Sequence, residues 1–142
     1  MNSNPPISGT GATGPEPLNG ITLSASLTVA DVQTSLAWYR DVLGLTVART
    51  FDRGGKMFAA SLRAGAVPIL LTQDDGAKGT ERVKGEGISL RITTAQNIDE
   101  LATRIKERGG TLSTEPMDGM GARVFRLRDP DGFKLVISSE PK

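Results

Sequence analysis

The sequence predicts an α+β fold made of two modules, each with the order strand, helix and three strands (βαβββ). Two observations carry this prediction. Alternating apolar residues typical of strands and apolar residues at helical spacing follow one another in the same order twice. A polar, glycine-containing stretch from Gln73 to Glu86 separates the two series. Because 142 residues is a usual size for one domain, we expect modules at about 21–73 and 86–139 within a single domain at 21–142.

Composition excludes several classes of function. The 17 Lys and Arg balance 16 Asp and Glu, for a net charge of +1. Without long runs of either sign, this does not indicate nucleic-acid binding. Histidine and cysteine are both absent, which excludes zinc sites with imidazole or thiolate ligands, Ser-His-Asp and Cys-His nucleophiles, and disulfides.

The first 20 residues differ from the rest of the chain. Met1–Gly20 is rich in Pro, Gly, Ser, Thr and Asn, and Glu16 is its one charged side chain. Such a segment is predicted to be a disordered tail. The sequence has no apolar stretch suited to a secretory signal or a membrane span, so we expect a cytoplasmic protein without membrane contact.

The first module begins with a strand that has two unlike faces. Apolar and small polar residues alternate from Ile21 to Val29, and Asp31 stands where a helix N-cap belongs. The following helix is predicted to end at Gly44. Strands are expected at Thr46–Phe51, Met57–Leu62 and Val67–Thr72.

The second module repeats this order. Ile88–Thr93 alternates, and Asn97 with Glu100 reads as a capping box for a helix that ends at Gly109. Strands are predicted at Thr111–Thr114, Arg123–Arg128 and Phe133–Ser138.

Three segments carry a family resemblance: 29–31 (VAD), 35–45 (SLAWYRDVLGL) and 128–133 (RDPDGF). In their order and spacing, from Ile21 to Ile137, the chain resembles the glyoxalase, bleomycin resistance and extradiol dioxygenase group, the vicinal oxygen chelate superfamily. The resemblance implies that the strands curl into a half-barrel cup with the helices packed outside. It also implies a ligand or metal in the cup, and a homodimer.

The resemblance also implies where a metal would be bound. Metal-dependent relatives place ligands on the first and last strand of each module, and those positions here hold Ser24, Leu70, Gly87 and Val136. One hydroxyl, two aliphatic side chains and a glycine are not a competent ligand set. We therefore expect no metal and no cofactor.

The face of the sheet that lines the cup follows from alternation along the strands. If Gly87 faces the cup, Ser89 and Arg91 do so as well. In the strand 123–128 the apolar face is formed by Phe125 and Leu127, so Arg126 is expected to point into the cup. If the length of the turn reverses which alternate residues face the cup, Arg123 points into it instead. For Arg91 and for Arg126 the alternative is a place at the rim, paired with a carboxylate. The predicted ligand-binding residues are Ser24, Ser26, Leu70, Ser89, Arg91, Arg126 and Val136.

These residues predict a roomy and mainly apolar pocket with one or two arginines. The function expected is therefore metal-independent binding of a small molecule, an aromatic or amphipathic acid or an antibiotic, with no catalytic residue assigned. One alternative is a metal-free isomerase or lyase that uses Ser24, Tyr39 or Arg91. Another is an interaction module whose cup is filled by large side chains such as Met57, Phe58 or Met120.

Overall fold

The computed structural model describes residues 16–79 and 81–141. Residues 16–20, which belong to the predicted tail, are exposed and form no helix or strand. The rest of that tail, residues 1–15, lies outside the described residues. The tail and the domain boundaries therefore stay predictions.

The first module has the predicted order. Asp31 caps the first helix, because its carboxylate accepts hydrogen bonds from the backbone N–H groups of Gln33 and Thr34 at 3.0 and 3.3 Å. The helix continues into a π-helical turn over Tyr39–Leu43, which ends at Gly44 in the left-handed conformation (φ 91°). The elements are β1 (Ala25–Val29), α1 (Val32–Trp38), β2 (Thr46–Arg53), β3 (Lys56–Ala64) and β4 (Val67–Gln73).

The second module repeats these elements. Asn97 caps its helix by accepting a 2.9 Å hydrogen bond from the backbone N–H of Glu100. The elements are β5 (Ser89–Thr94), α2 (Ile98–Glu107), β6 (Leu112–Gly119), β7 (Ala122–Arg128) and β8 (Lys134–Ser139). No helix among the described residues is long and apolar enough to cross a membrane.

Each module forms its own four-stranded mixed sheet. The strand orders are β1-β4-β3-β2 and β5-β8-β7-β6. In both sheets the first strand of the module pairs in parallel with the last strand, and the remaining pairs are antiparallel. Neither sheet closes on itself. The α+β prediction of two βαβββ modules is confirmed.

One face of each sheet packs with the helices into a shared core. Leu27 and Val29 of β1 pack there, as do Phe125 and Leu127 of β7, so the alternation predicted the buried face correctly. Tyr39, fully buried, belongs to the same core. Within the part of the chain that the structure describes, neither helix covers the opposite face of its sheet.

The start of the first strand was predicted too early. Regular pairing begins at Ala25, which lies opposite Ile69, whereas Ile21 and Leu23 are 100% and 92% exposed. In this register Ile21 would lie opposite Gly65, before β4 begins at Val67, and Ser24 would lie opposite Pro68, which has no backbone N–H to donate. An apolar pattern without a partner strand does not make a ladder.

The turn between β7 and β8 joins the two modules. Asp129 accepts hydrogen bonds from the backbone N–H groups of Asp131 and Phe133, both at 2.9 Å, and so caps its own turn. Asp131 reaches the first module, where it accepts from the backbone N–H of Ala30 at 2.9 Å and from the hydroxyl of Ser35 at 3.3 Å. The turn therefore docks the second module onto the start of α1.

Candidate functional site

The helix-free face of the second sheet places two arginines on either side of a valine. In the register of the ladder, Val136 lies between Arg91 on β5 and Arg126 on β7. Directly paired residues point to the same face, and neighbouring strands are about 4.8 Å apart. The two long side chains therefore rise from opposite sides of a short aliphatic floor.

A second row of side chains adjoins the first, two residues along the same strands. Lys134 of β8 lies between Ser89 on β5 and Arg128 on β7. Because side chains repeat every second residue, these three share the face of Arg91 and Arg126. Two rows on three adjacent strands thus carry four cations.

The two rows surround a cavity of about 440 Å³, a size typical of small-ligand sites. Arg91 donates a 3.2 Å hydrogen bond to the hydroxyl of Ser138, and Arg128 donates to the carbonyl of Gly132 at 3.4 Å. Within the described residues no carboxylate lines this cavity or forms an ion pair with its four cations. The lining residues are Ser89, Arg91, Ser113, Arg126, Leu127, Arg128, Lys134, Leu135 and Val136.

Contacts on the helix side of the second sheet show which of Arg123 and Arg126 points toward the cavity. Arg123 makes hydrogen bonds with the carboxylate of Asp99 on α2, at 2.9 and 3.1 Å, and with Asp118 at 3.3 Å. The hydrogen bond from Arg123 lowers the pKa of Asp99. Arg126 therefore lies on the cavity side, and Arg123 is the arginine that pairs with carboxylates elsewhere.

The predicted site residues fall into two groups. Ser89, Arg91, Arg126 and Val136 line the one cavity. Ser26 and Leu70 lie opposite each other on the first sheet, in the pairing of β1 with β4. Ser24 is exposed and precedes β1 by one residue. These three are not among the residues that line the cavity.

Sequence reasoning missed three polar residues of the cavity: Ser113, Arg128 and Lys134. A signal existed for two of them, because Arg128 follows Arg126 by two positions and Lys134 precedes Val136 by two. The cavity is accordingly more basic than the mainly apolar pocket that the sequence indicated. Met57, Phe58 and Met120 do not line it; Met57 packs on the core and Met120 is 97% exposed.

The residues at the family's metal positions do not suit a metal. The resemblance implies one ligand position on β4 and an equivalent one on β8. These positions hold Leu70 and Val136, and both are aliphatic. Gly87, outside the strands with φ 80°, offers no side chain. No group of three His, Cys, Asp or Glu residues in the described part of the chain could hold a metal ion.

A buried pair of titratable groups lies apart from the cavity. Tyr39 donates a 2.7 Å hydrogen bond to Asp129. Burial, together with the negative charge of Asp129, raises the pKa of Tyr39 far above its usual value, and burial also raises the pKa of Asp129. Neither residue lines the cavity. Tyr39 packs in the core, so it is not available to a ligand in the cavity.

Two βαβββ modules with open sheet faces place this chain in a class of paired-module α+β proteins. The chain belongs to the Glyoxalase/Bleomycin resistance protein/Dioxygenase superfamily, whose family model matches residues 21–137. It is 30% identical to the lactoylglutathione lyase of Salmonella typhimurium over 124 residues, 81% of this chain and 89% of that protein.

Two further similarities agree with this family. The glutathione transferase FosA of Serratia marcescens is 27% identical over 121 residues, which cover 84% of this chain and 78% of that protein. The crystal structure of a superfamily member from Sphaerobacter thermophilus superposes with a TM-score of 0.66 at 25% identity, covering 86% of this chain and 98% of that one.

Proposed function

We propose that this protein binds a small acidic molecule without a metal, on the helix-free face of its second sheet. The ligand class is an aromatic or amphipathic acid, an antibiotic of that chemistry included, that carries more than one negative charge. The observation that carries the proposal is the pair of rows that place Arg91, Arg126, Arg128 and Lys134 around one cavity.

Four cations in a space of about 440 Å³ repel one another unless an anion lies between them. The protein supplies no carboxylate there within its described residues, so a ligand is the natural source of the negative charge. A guanidinium can bind a carboxylate or phosphate through two parallel hydrogen bonds. Each charged hydrogen bond contributes about 1.5–3 kcal/mol in a desolvated site, and less where water screens it.

The aliphatic part of the floor can contact the uncharged part of the ligand. Val136 is 6% exposed and clusters with Val124 and Ala122. Of these three residues only Val136 lines the cavity, and a flat ring or a short chain can rest on it while its acid groups reach the arginines on either side. The hydroxyls of Ser89 and Ser113 add neutral hydrogen-bonding groups at the margin.

Binding without a metal is supported by the side chains at the family's metal positions. The arginines stabilise negative charge by hydrogen bonding, which is a different means from metal coordination. Two relatives are named for glutathione chemistry, lactoylglutathione lyase and glutathione transferase. Glutathione carries two carboxylates, and this supports an acidic ligand here as well. The alternative of a metal-free isomerase or lyase is weakened by the burial of Tyr39.

A homodimer and a cytoplasmic location complete the proposal. The dimer follows from the resemblance and is supported by exposed apolar side chains just before two of the four edge strands: Ile21 and Leu23 before β1, and Ile88, 57% exposed, before β5. Sedimentation equilibrium tests the dimer, which a monomer at all concentrations contradicts.

The binding proposal is tested by NMR titration with phthalate, benzoate and benzamide on protein that has been treated with EDTA and then dialysed to remove it. We expect phthalate, with two carboxylates, to bind most tightly and benzamide most weakly. The backbone shifts should concentrate on β5, β7 and β8. Equal affinities for the three compounds, or loss of phthalate binding after the EDTA treatment and dialysis, would contradict the proposal.

A further inference from the structure

A second cavity, of about 400 Å³, lies where the two modules meet. The first module contributes the end of its helix with Gly44, and the turn between β3 and β4. The second contributes one side of α2. We propose that this junction cavity binds a small amphipathic carboxylate, with its chain on an aliphatic floor and its acid group at Arg104 and Arg108.

The floor of the junction cavity is aliphatic. Leu45, Ile105 and Ile137 are 5%, 2% and 6% exposed, and Leu43 and Leu101 are half-buried beside them. A hydrocarbon chain laid on this surface removes apolar area from water on both sides, at about 25 cal/mol per Å². The floor therefore offers apolar contact to a chain, beside the polar lining residues Thr93, Thr94 and Gln96.

The rim of the cavity is basic. Arg104 lies in the last turn of α2, and Arg108, four residues further on, is the C-cap residue of that helix; both line the cavity. Neither forms an ion pair among the described residues, whereas Lys106 on the same helix binds Glu115 at 2.8 Å. No carboxylate is found in the described lining of the cavity. Two guanidinium groups are thus available to one acid group.

Arg108 extends across the junction to the first module. Its Nη1 atom lies 3.1 Å from the point that a Cβ on Gly44 would occupy. Gly44 adopts φ 91°, so a larger residue there would be strained and would also displace the guanidinium. The glycine leaves room for a cation from one module over the end of the helix of the other.

The junction cavity and the proposed binding site lie on opposite faces of the same strands. Ile92 of β5 and Ile137 of β8 line the junction cavity, while their neighbours Arg91 and Val136 line the other cavity. The sheet separates the two, so a molecule in one does not occupy the other. The two cavities also differ in chemistry. The junction cavity has two arginines over an aliphatic floor and suits a single acid group on a chain, whereas the four cations of the other cavity suit a ligand with more than one negative charge.

The test uses octanoate and its neutral analogue octanamide in titration calorimetry, with the double variant R104Q/R108Q. We expect the double variant to weaken octanoate at least tenfold and to leave octanamide nearly unchanged. Leu101→Gln should weaken both compounds, because it makes the floor polar. Lys106→Gln serves as the matched control, because Lys106 lies on the same helix but does not line the cavity, and it should not alter octanoate binding. Arg91→Ala shows whether octanoate instead occupies the cavity of the second sheet.

Three outcomes would overturn the inference. These are no binding of octanoate to the unaltered protein, a loss in R104Q/R108Q that is equal for acid and amide, and a loss of octanoate binding in Arg91→Ala. The last would place octanoate in the cavity of the second sheet. Failure of phthalate to bind there would leave the junction cavity unaffected, so the two proposals fail separately.

Discussion

The hydroxyl of Tyr39 donates a 2.7 Å hydrogen bond to the carboxylate of Asp129, deep in the core between the two modules. The tyrosine belongs to the π-helical turn that follows α1, and the aspartate opens the turn that leads to β8. Tyr39 is fully buried and Asp129 is 5% exposed. A buried carboxylate is costly unless it is hydrogen-bonded, and here three donors share it.

Tyr39→Phe should destabilise the protein by about 1–3 kcal/mol, because it removes one of the three donors to a buried carboxylate. Urea denaturation measures the loss. The exposed pair of Arg40 and Asp41 provides the control, and Asp41→Asn should change stability by less than about 0.5 kcal/mol. Equal effects of the two substitutions would contradict the importance of the buried bond.

The pH dependence of stability should reflect the raised pKa of Asp129. Burial raises its pKa in the folded state above the unfolded value near 3.9. Between these two values the folded protein keeps a proton that the unfolded chain has released, so stability falls as pH rises through that interval. The difference in unfolding free energy between the protein and Asp129→Asn should therefore decrease from about pH 3 upward and then level off. An increase would contradict the raised pKa.

Arg91→Ala should weaken phthalate binding by roughly tenfold to a hundredfold and benzamide hardly at all, because the loss is a charged hydrogen bond. Its effect should exceed that of Lys134→Ala, since lysine lacks the two-pronged geometry of a guanidinium. Arg123→Ala is the matched control, as Arg123 lies on the helix side of β7. A comparable loss of binding in Arg123→Ala would show that charge at a distance, and not contact, is responsible.

The purified protein should carry no stoichiometric transition metal, because Ser24, Leu70, Gly87 and Val136 stand at the family's ligand positions. Elemental analysis by mass spectrometry checks this expectation. One equivalent of zinc, nickel, manganese or iron per chain, retained after dialysis, would contradict it.

Removal of Met1–Asn19 should leave the melting temperature unchanged, because that segment has no apolar periodicity with which to bury surface. Thermal denaturation of the full and shortened chains makes the comparison. A decrease of several degrees would show that the segment packs against the domain.

The sequence by itself determined the α+β class, the repeat of two modules and the buried face of most strands. These features depend on local patterns: alternation in strands such as 123–128, and caps such as Asp31 and Asn97. Alternation also led to the correct face for Arg91 and Arg126, because side-chain direction along a strand has a period of two.

Tertiary structure decided what no local pattern contains. Lys134 and Arg128 join the cavity because strand pairing places β8 between β5 and β7, a register set by residues distant in sequence. Arg123 turns to α2 because Asp99 is near in space. Asp129 looks like an ordinary turn residue until the packing of the modules brings Tyr39 to it. Pairing and packing are relations between segments, so the number of cations around the cavity could be read only from the folded chain.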